Sequence, residues 1–375
     1  MGELQRPSTP LPSKLQALAE WLEGAGIDLA DLPDAGNLER LEGGTYQTTI
    51  KNADGEAETH TNKKASWVIS PKWQKGPEWQ PAEWGPVVER VKPAKAKTRK
   101  GWRTAVCLPD IQAGFWRTDA GELVPIHDVD AVAAALRFCA DLQPDEIVLH
   151  GDNLDLPDLS KYRLHPVFAG TAQATIDWAT MFAAELRATC PTARIVWLAG
   201  NHEARLGNAL LDNARAAYGL RQGMATPDSW PVMSVPHLCR LEDSGIEYLD
   251  GYPANAHYLA DGAVQVIHGH YTGPTAARKY LEQSQVSTVY GHTHHPSLAW
   301  KRVQRPDGPT PIFAATGGCL ARLDGSVPST KTGHDGRSGA PIPTAMDWGH
   351  GLVVVRYKGT TAHPTVVPII DGHIA

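Results

Sequence analysis

Five short clusters of potential metal ligands stand out in this chain, each placed directly after an apolar run. Asp110-Ile111-Gln112 follows TAVCLP, and Gly151-Asp152-Asn153 follows EIVLH. Gly200-Asn201-His202-Glu203 follows RIVWLA, His268-Gly269-His270 ends AVQVIH, and Gly291-His292-Thr293-His294 follows VSTVY. Two carboxylates, an amide and several imidazoles, with no cysteine among them, form a mixed nitrogen and oxygen donor set. Such a set suits Mn, Fe, Zn or Co better than a soft thiolate metal or an all-oxygen calcium site. There are more donors than one tetrahedral zinc requires. Two cations sharing a bridging carboxylate, roughly 3.5–4 Å apart, would use them all and would clamp a phosphoryl group. A lone Gly-Asp or His-Gly-His is more often an ordinary turn or a surface histidine. Five such clusters in a row, each after a strand-like run, argue for a site.

The elements that must position these residues follow from the apolar pattern. From Arg103 onward, runs of four to six residues rich in β-branched types alternate with amphipathic stretches at about 128–141 and 171–189. The alternation predicts an α/β layered fold with largely buried strands. Functional groups collect outside the carboxyl ends of strands in such sheets, so five loops would deliver their ligands to one edge. The glycines beside the ligands allow sharp turns and close approach. Further strand candidates, PIFAAT, GLVVVRY and TVVPII, lie among many Gly and Pro residues and are expected to build a second sheet.

The first hundred residues have a different texture and are read as an N-terminal accessory region with a basic linker, ahead of a catalytic domain over residues 101–375. Residues 13–23 carry Leu15, Leu18, Ala19 and Leu22 at helical spacing, with Ser13 as N-cap and Gly24 as stop. The segment TYQTTIKNADGEAETH reads as a hairpin turning at Asn52-Ala53-Asp54-Gly55. Trp67, Trp73, Trp79 and Trp84 either staple an irregular segment by packing or offer a stacking surface for single-stranded bases. Lys92, Lys95, Lys97, Arg99 and Lys100 read as a solvated linker or a strap for phosphates.

Composition sets outer bounds. The chain has 375 residues, 42% apolar and 20% charged, enough to bury a sizeable core. A net charge of −6 excludes a global basic field, so a polyanionic substrate must be held by a local patch or by metal ions. Five separated cysteines without a Cys-x-x-Cys pair fit reduced thiols in a cytoplasmic protein. The N-terminus lacks the apolar run of a signal peptide, and no apolar stretch approaches membrane-spanning length, so no membrane partner is expected.

The order Asp-x-x, Gly-Asp-x, Gly-Asn-His-Glu, His-Gly-His, Gly-His-x-His resembles the calcineurin-like metallophosphoesterases over roughly residues 103 to 300. GDNLDLPDLSKYR and GNHEARL look most like its phage-encoded members. The resemblance implies a β-sandwich flanked by helices and two divalent metal ions, Mn, Fe or Zn. It implies that Asp110 and His294, with Gln112 as a further ligand, hold the first metal. Asp152 would bridge both, while Asn201, His268 and His292 complete the second. His202 would reach the substrate phosphate or protonate the leaving oxygen as a general acid, and a metal-bound hydroxide would be the nucleophile. Asn201, His202, Arg205 and Arg163 are candidate substrate contacts. Glu203 is expected to orient His202 or cap the following helix, and Arg205 has pairing with Glu203 as its alternative. Asp155, Asp158 and Arg163 either shape the pocket or form surface salt bridges. His270 is placed behind His268; His295, His350, His363 and His373 are not expected to bind metal, and Cys319 is expected to be buried. The family usually has a histidine where Gln112 stands, and a neutral amide makes the first site looser or richer in oxygen.

These residues lead to a metal-dependent phosphoesterase, with a phosphodiester such as DNA or RNA weighed against a small phosphomonoester or nucleotide. The alternative from another class is a nucleic-acid-associated binding protein with a degenerate metal centre, which Gln112 favours and the intact Gly-Asn-His-Glu opposes. The oligomeric state is not encoded in any of these signals.

Overall fold

The computed structural model describes residues 38–51, 57–69, 101–306, 308–330, 333–344 and 346–375. The chain divides into two compact units, Met1–Ala82 and Glu83–Ala375. In the first unit, β1 (Leu38–Lys51) and β2 (Ala57–Ile69) pair antiparallel, with Lys51 opposite Ala57, which is the hairpin expected from the sequence. The expected helix over residues 13–23, Trp73, Trp79, Trp84 and the basic stretch 92–100 lie outside the described residues.

The second unit is built on two sheets. In the larger, β3 (Arg103–Leu108), β6 (Glu146–Leu149), β7 (Arg194–Leu198) and β8 (Ile246–Leu249) run parallel as neighbours. Beyond β3 the sheet continues antiparallel through β14 (Gly351–Lys358), β15 (Thr361–Ile370) and β16 (His373–Ile374). In the smaller sheet, β10 (Val264–Ile267), β11 (Ser287–Tyr290) and β13 (Gly308–Thr316) are parallel neighbours. They are flanked antiparallel by β9 (His257–Leu259) and β12 (Ser297–Arg305). A short ribbon, β4 (Phe115–Arg117) with β5 (Leu123–Pro125), stands apart.

Alternation along the central strands explains the layers. Ala105, Cys107, Val148, Val196, Leu198, Val353 and Val355 point from the large sheet into a core shared with Leu259, Val264, Val266, Val289, Phe313 and Ala315 of the small one. Their sequence neighbours Val106, Leu108, Ile147, Leu149, Ile195, Trp197, Leu352 and Val354 point the other way. There they meet α1 (Val129–Leu142) and α2 (Ala172–Thr189), near the two helical stretches expected. A strand buried on both faces reads as an unbroken apolar run, as these do. Helices α3 (Ala204–Asn213) and α4 (Val235–Leu238) follow, and α5 (Ala276–Gln283) packs Tyr280 and Leu281 on the outer face of the small sheet. The result is a β-sandwich flanked by helices. Among the described residues, no helix is long and apolar enough to cross a membrane.

One expectation needs correction. The C-terminal strands do not make a sheet of their own: β13 joins β11 in the small sheet, whereas β14 and β15 extend the large one beside β3. Local composition marks a strand but carries no information about which edge it will pair with.

Candidate metal centre

The five ligand-bearing loops come from both sheets. β3, β6 and β7 are parallel neighbours in one, β10 and β11 parallel neighbours in the other, and all five lead at their carboxyl ends into the candidate ligands. The backbone bends hard to present them. Asp110, Gln112, Asp152, His292 and His294 have φ of 26°, 47°, 49°, 68° and 59°. Left-handed backbone costs a non-glycine residue on the order of 1–2 kcal/mol, and such strain collects where geometry serves function. Gly200 and Gly291 are needed for another reason: a Cβ on the first would collide with Asp152, and one on the second with Asp110.

Ligand atoms of Asp152, His268 and His292 all lie within 4.8 Å of one another. Asp152 Oδ1 accepts the His202 backbone N–H at 2.8 Å, while Oδ2 lies 3.3 Å from His268 Nε2. Asn201 Oδ1 is 3.0 Å from the same nitrogen. His268 Nδ1 donates to the His150 carbonyl at 3.1 Å, which leaves Nε2 as the atom turned on two oxygens. A second group adjoins it. The Asp110 carboxylate accepts the His292 backbone N–H at 2.9 and 3.1 Å, and Oδ1 lies 3.2 Å from His294 Nε2. Gln112 Nε2 is 3.3 Å from the same His294 nitrogen, and Gln112 Oε1 is buried without a partner. The His294 ring sits edge-on to Trp348, centroids 4.0 Å apart.

This donor set fits divalent cations. An imidazole lone pair facing Asp152 and Asn201 oxygens is an arrangement of acceptors against acceptors, relieved only by a positive charge between them. Burial pulls the His268 imidazole down, but Asp152 and Asp110 override it and hold it at about 9. A proton thus takes up the charge that a metal would supply. Burial likewise raises the Asp152 carboxyl, yet His202 and His268 hold it well below the usual carboxylate range. For Asp110, burial also opposes ionisation, and the His294 hydrogen bond and charge prevail.

Several side chains have roles that their sequence positions did not reveal. Glu203 stands at the N-cap position of α3, but its side chain makes no capping bond and turns away from His202. Its buried carboxylate accepts from Asp152 N (2.9 Å) and Gly200 N (2.8 Å) through Oε2. Through Oε1 it accepts from Asn153 N (2.8 Å), Leu154 N (3.4 Å) and Trp197 Nε1 (3.2 Å). Burial and the Asp152 charge push its carboxyl up, but all five partners are donors, so no acceptor awaits a carboxyl proton. Asp155 is fully buried and is no surface salt bridge: its Oδ1 lies 2.8 Å from His202 Nδ1 and 2.5 Å from Arg205 Nη1. Arg205 therefore pairs with Asp155 and not Glu203, and its Nη2 lies 2.7 Å from His202 Nε2. Since arginine only donates, the His202 Nε2 facing Arg205 is placed to accept. Among the described residues, Asp158 makes no salt bridge; it accepts the Gly170, Thr171 and Ala172 N–H groups at the start of α2.

The other expectations divide. Asp110, Gln112, Asp152, Asn201, His202, Arg205, His268, His292 and His294 come together. Arg163 stands exposed, with no contact to the cluster among the described residues. His270 is exposed beside the centre, and Cys319 is buried. His350 is half-buried and turned to the Ala321 carbonyl at 2.7 Å. His150, which ends the EIVLH run, was overlooked. It is fully buried near Asp110 and His268, and burial pulls its imidazole down to about 4, so it is neutral.

No curated protein matches the chain in sequence. Among solved structures, YfcE, a phosphoesterase from E. coli, is similar at 14% identity and a TM-score of 0.29, covering 72% of this chain and 96% of YfcE. The model of the calcineurin-like phosphoesterase family matches residues 110–296, a span that opens on Asp110 and closes two residues after His294. Residues 110–296 of the chain are thus similar to the calcineurin-like phosphoesterases.

Proposed function

We propose that the chain is a metal-dependent phosphoesterase acting on phosphodiesters. The observation that carries this reading is the convergence of Asp152, His268 and His292 within 4.8 Å, with Asp110 bonded to the His292 backbone beside them. Asp152, Asn201, His268 and His292 would hold one cation, and Asp110, Gln112 and His294 a second, with Asp152 between. The cations, when bound, supply charge for the phosphoryl oxygens and a water made acidic enough to ionise near neutral pH. The protein's own groups supply the rest. The His202 backbone N–H fixes Asp152 Oδ1 and leaves Oδ2 free to face the cluster. Asp155 and Arg205 hold the His202 imidazole against the centre, where it can reach an ester oxygen. To protonate a leaving group, Nε2 must first gain a proton and be released by Arg205.

The choice of diester over monoester is supported by charge. A monoester dianion calls for an uncommitted cation in direct reach of the metals, and Arg205, which touches His202 beside them, is tied to Asp155. A diester carries one negative charge less. The test is turnover of bis-p-nitrophenyl phosphate, p-nitrophenyl phosphate, RNA, and single- and double-stranded DNA by Mn-loaded protein, with Asp152→Asn alongside. Diesters are expected to be preferred, and the variant is expected to lose bound metal and turnover together. A variant that keeps both metals, by elemental analysis, and full activity would remove Asp152 from the bridge.

A further inference from the structure

The loops after β8 and β10 build a surface that the hydrolytic reading leaves unused. Half-buried Tyr252 sets its ring edge-on to His268, centroids 5.6 Å apart. Two residues past His268 the chain presents exposed His270 and half-buried Tyr271, with rings 4.3 Å apart. The Tyr280 hydroxyl on α5 accepts the backbone N–H groups of His270 (2.9 Å) and Tyr271 (3.2 Å), so the loop carrying both rings is braced from below. Exposed Lys279, one residue earlier on α5, holds its ammonium 5.2 Å from the Tyr271 ring centroid. It has no acidic partner among the described residues, whereas its neighbour Arg278 is paired with Glu282 at 3.1 Å.

We propose that this rim binds single-stranded nucleic acid on either side of the scissile phosphodiester. Bases stack on Tyr271 and His270, Lys279 takes the adjoining phosphate, and Tyr252 borders the ester at His268. The proposal rests on the phosphodiester reading and names the polymer that carries the ester. Three observations lead to it. His270 is exposed and Tyr271, edge-on to Tyr280 at 4.9 Å, is half-buried; both sit on a loop that begins at a candidate ligand, so the surface is continuous with the centre. An unpaired cation at that mouth, on a chain of net charge −6, favours an anionic occupant. Aromatic faces beside a cation suit unpaired bases of any sequence, because every base has a stacking face; a duplex keeps its bases inside.

The experiment follows binding of a fluorescein-labelled oligothymidine of about 12 nucleotides to the full chain by anisotropy over a salt series. Turnover of bis-p-nitrophenyl phosphate is measured in parallel. Tyr271→Leu is expected to weaken binding roughly 5- to 150-fold, the range for loss of one stacked base. Lys279→Ala, a surface change that leaves the fold alone, is expected to flatten the log–log salt slope by about 0.7. Unchanged affinity and slope in both variants, or wild-type binding to a duplex as tight as to the strand, would overturn the proposal. The two readings separate cleanly: diester turnover without strand binding sinks the rim alone, and strand binding that the variants weaken, without turnover, sinks the hydrolase reading alone.

Discussion

Replacing Glu203 with glutamine changes one oxygen to an NH₂ group, and the structure fixes what that costs. The carboxylate takes two N–H donors on Oε2 and three on Oε1. A glutamine placed to keep the three sets its own NH₂ against the N–H groups of Asp152 and Gly200. Each buried donor left without an acceptor costs about 1–3 kcal/mol. The two together come to roughly 2–6 kcal/mol, against a total stability of about 5–15 kcal/mol for a typical domain. The penalty falls on the turn that aims Asp152 and on the residue before Asn201, so metal affinity is expected to drop along with stability. Urea denaturation of metal-free Glu203→Gln and wild type measures the first quantity, and calorimetric metal titration the second. A stability loss below about 1 kcal/mol with unchanged metal affinity would refute the idea that this carboxylate holds the two loops together.

Two further perturbations address the chemistry. His202→Ala is expected to retain bound metal while lowering kcat by roughly 10²–10⁴ on substrates with poor leaving groups. The loss should be smaller for p-nitrophenolate, which leaves unaided; equal losses on both would assign His202 to charge stabilisation and not proton transfer. Gln112→His is expected to tighten the weaker cation site and shift its preference towards Zn²⁺, because an imidazole replaces a neutral amide beside His294. Calorimetric titration of metal-free protein showing two equal sites, indifferent to the substitution, would place Gln112 outside the coordination.

The candidate ligands were legible because each sits one to four residues beyond an apolar strand, where the chain has to turn. Burial on both faces made those strands easy to find, and α1 and α2 announced themselves by their apolar faces. What the sequence concealed depends on loops folding back. Asp155 looked like a surface carboxylate because nothing local says that it will meet Arg205, fifty residues on, and vanish from solvent. Glu203 was assigned by proximity to His202, but a helical start turns the two side chains apart and sends the carboxylate to the β6 loop. The pairing of β14 with β3 escaped for a related reason. Which edge a strand joins depends on partners far away in the sequence, and no residue within GLVVVRY records that β14 will lie beside β3.

Because the ligands are divided between two sheets, the centre exists only where the sheets are seated on one another. Neither sheet holds a complete set: Asp152 and Asn201 hang from one, His268 and His292 from the other. A displacement of one strand residue between them, about 3.4 Å, would separate donors that must meet. The packing of Phe313, Val289, Val148 and Val196 deep in the sandwich is therefore part of what aligns the candidate ligands, although these side chains belong to the core between the sheets. A bound cation acts in return as a clasp on the rim. At a free concentration a hundredfold above its dissociation constant it would stabilise the seated form by about 2.7 kcal/mol.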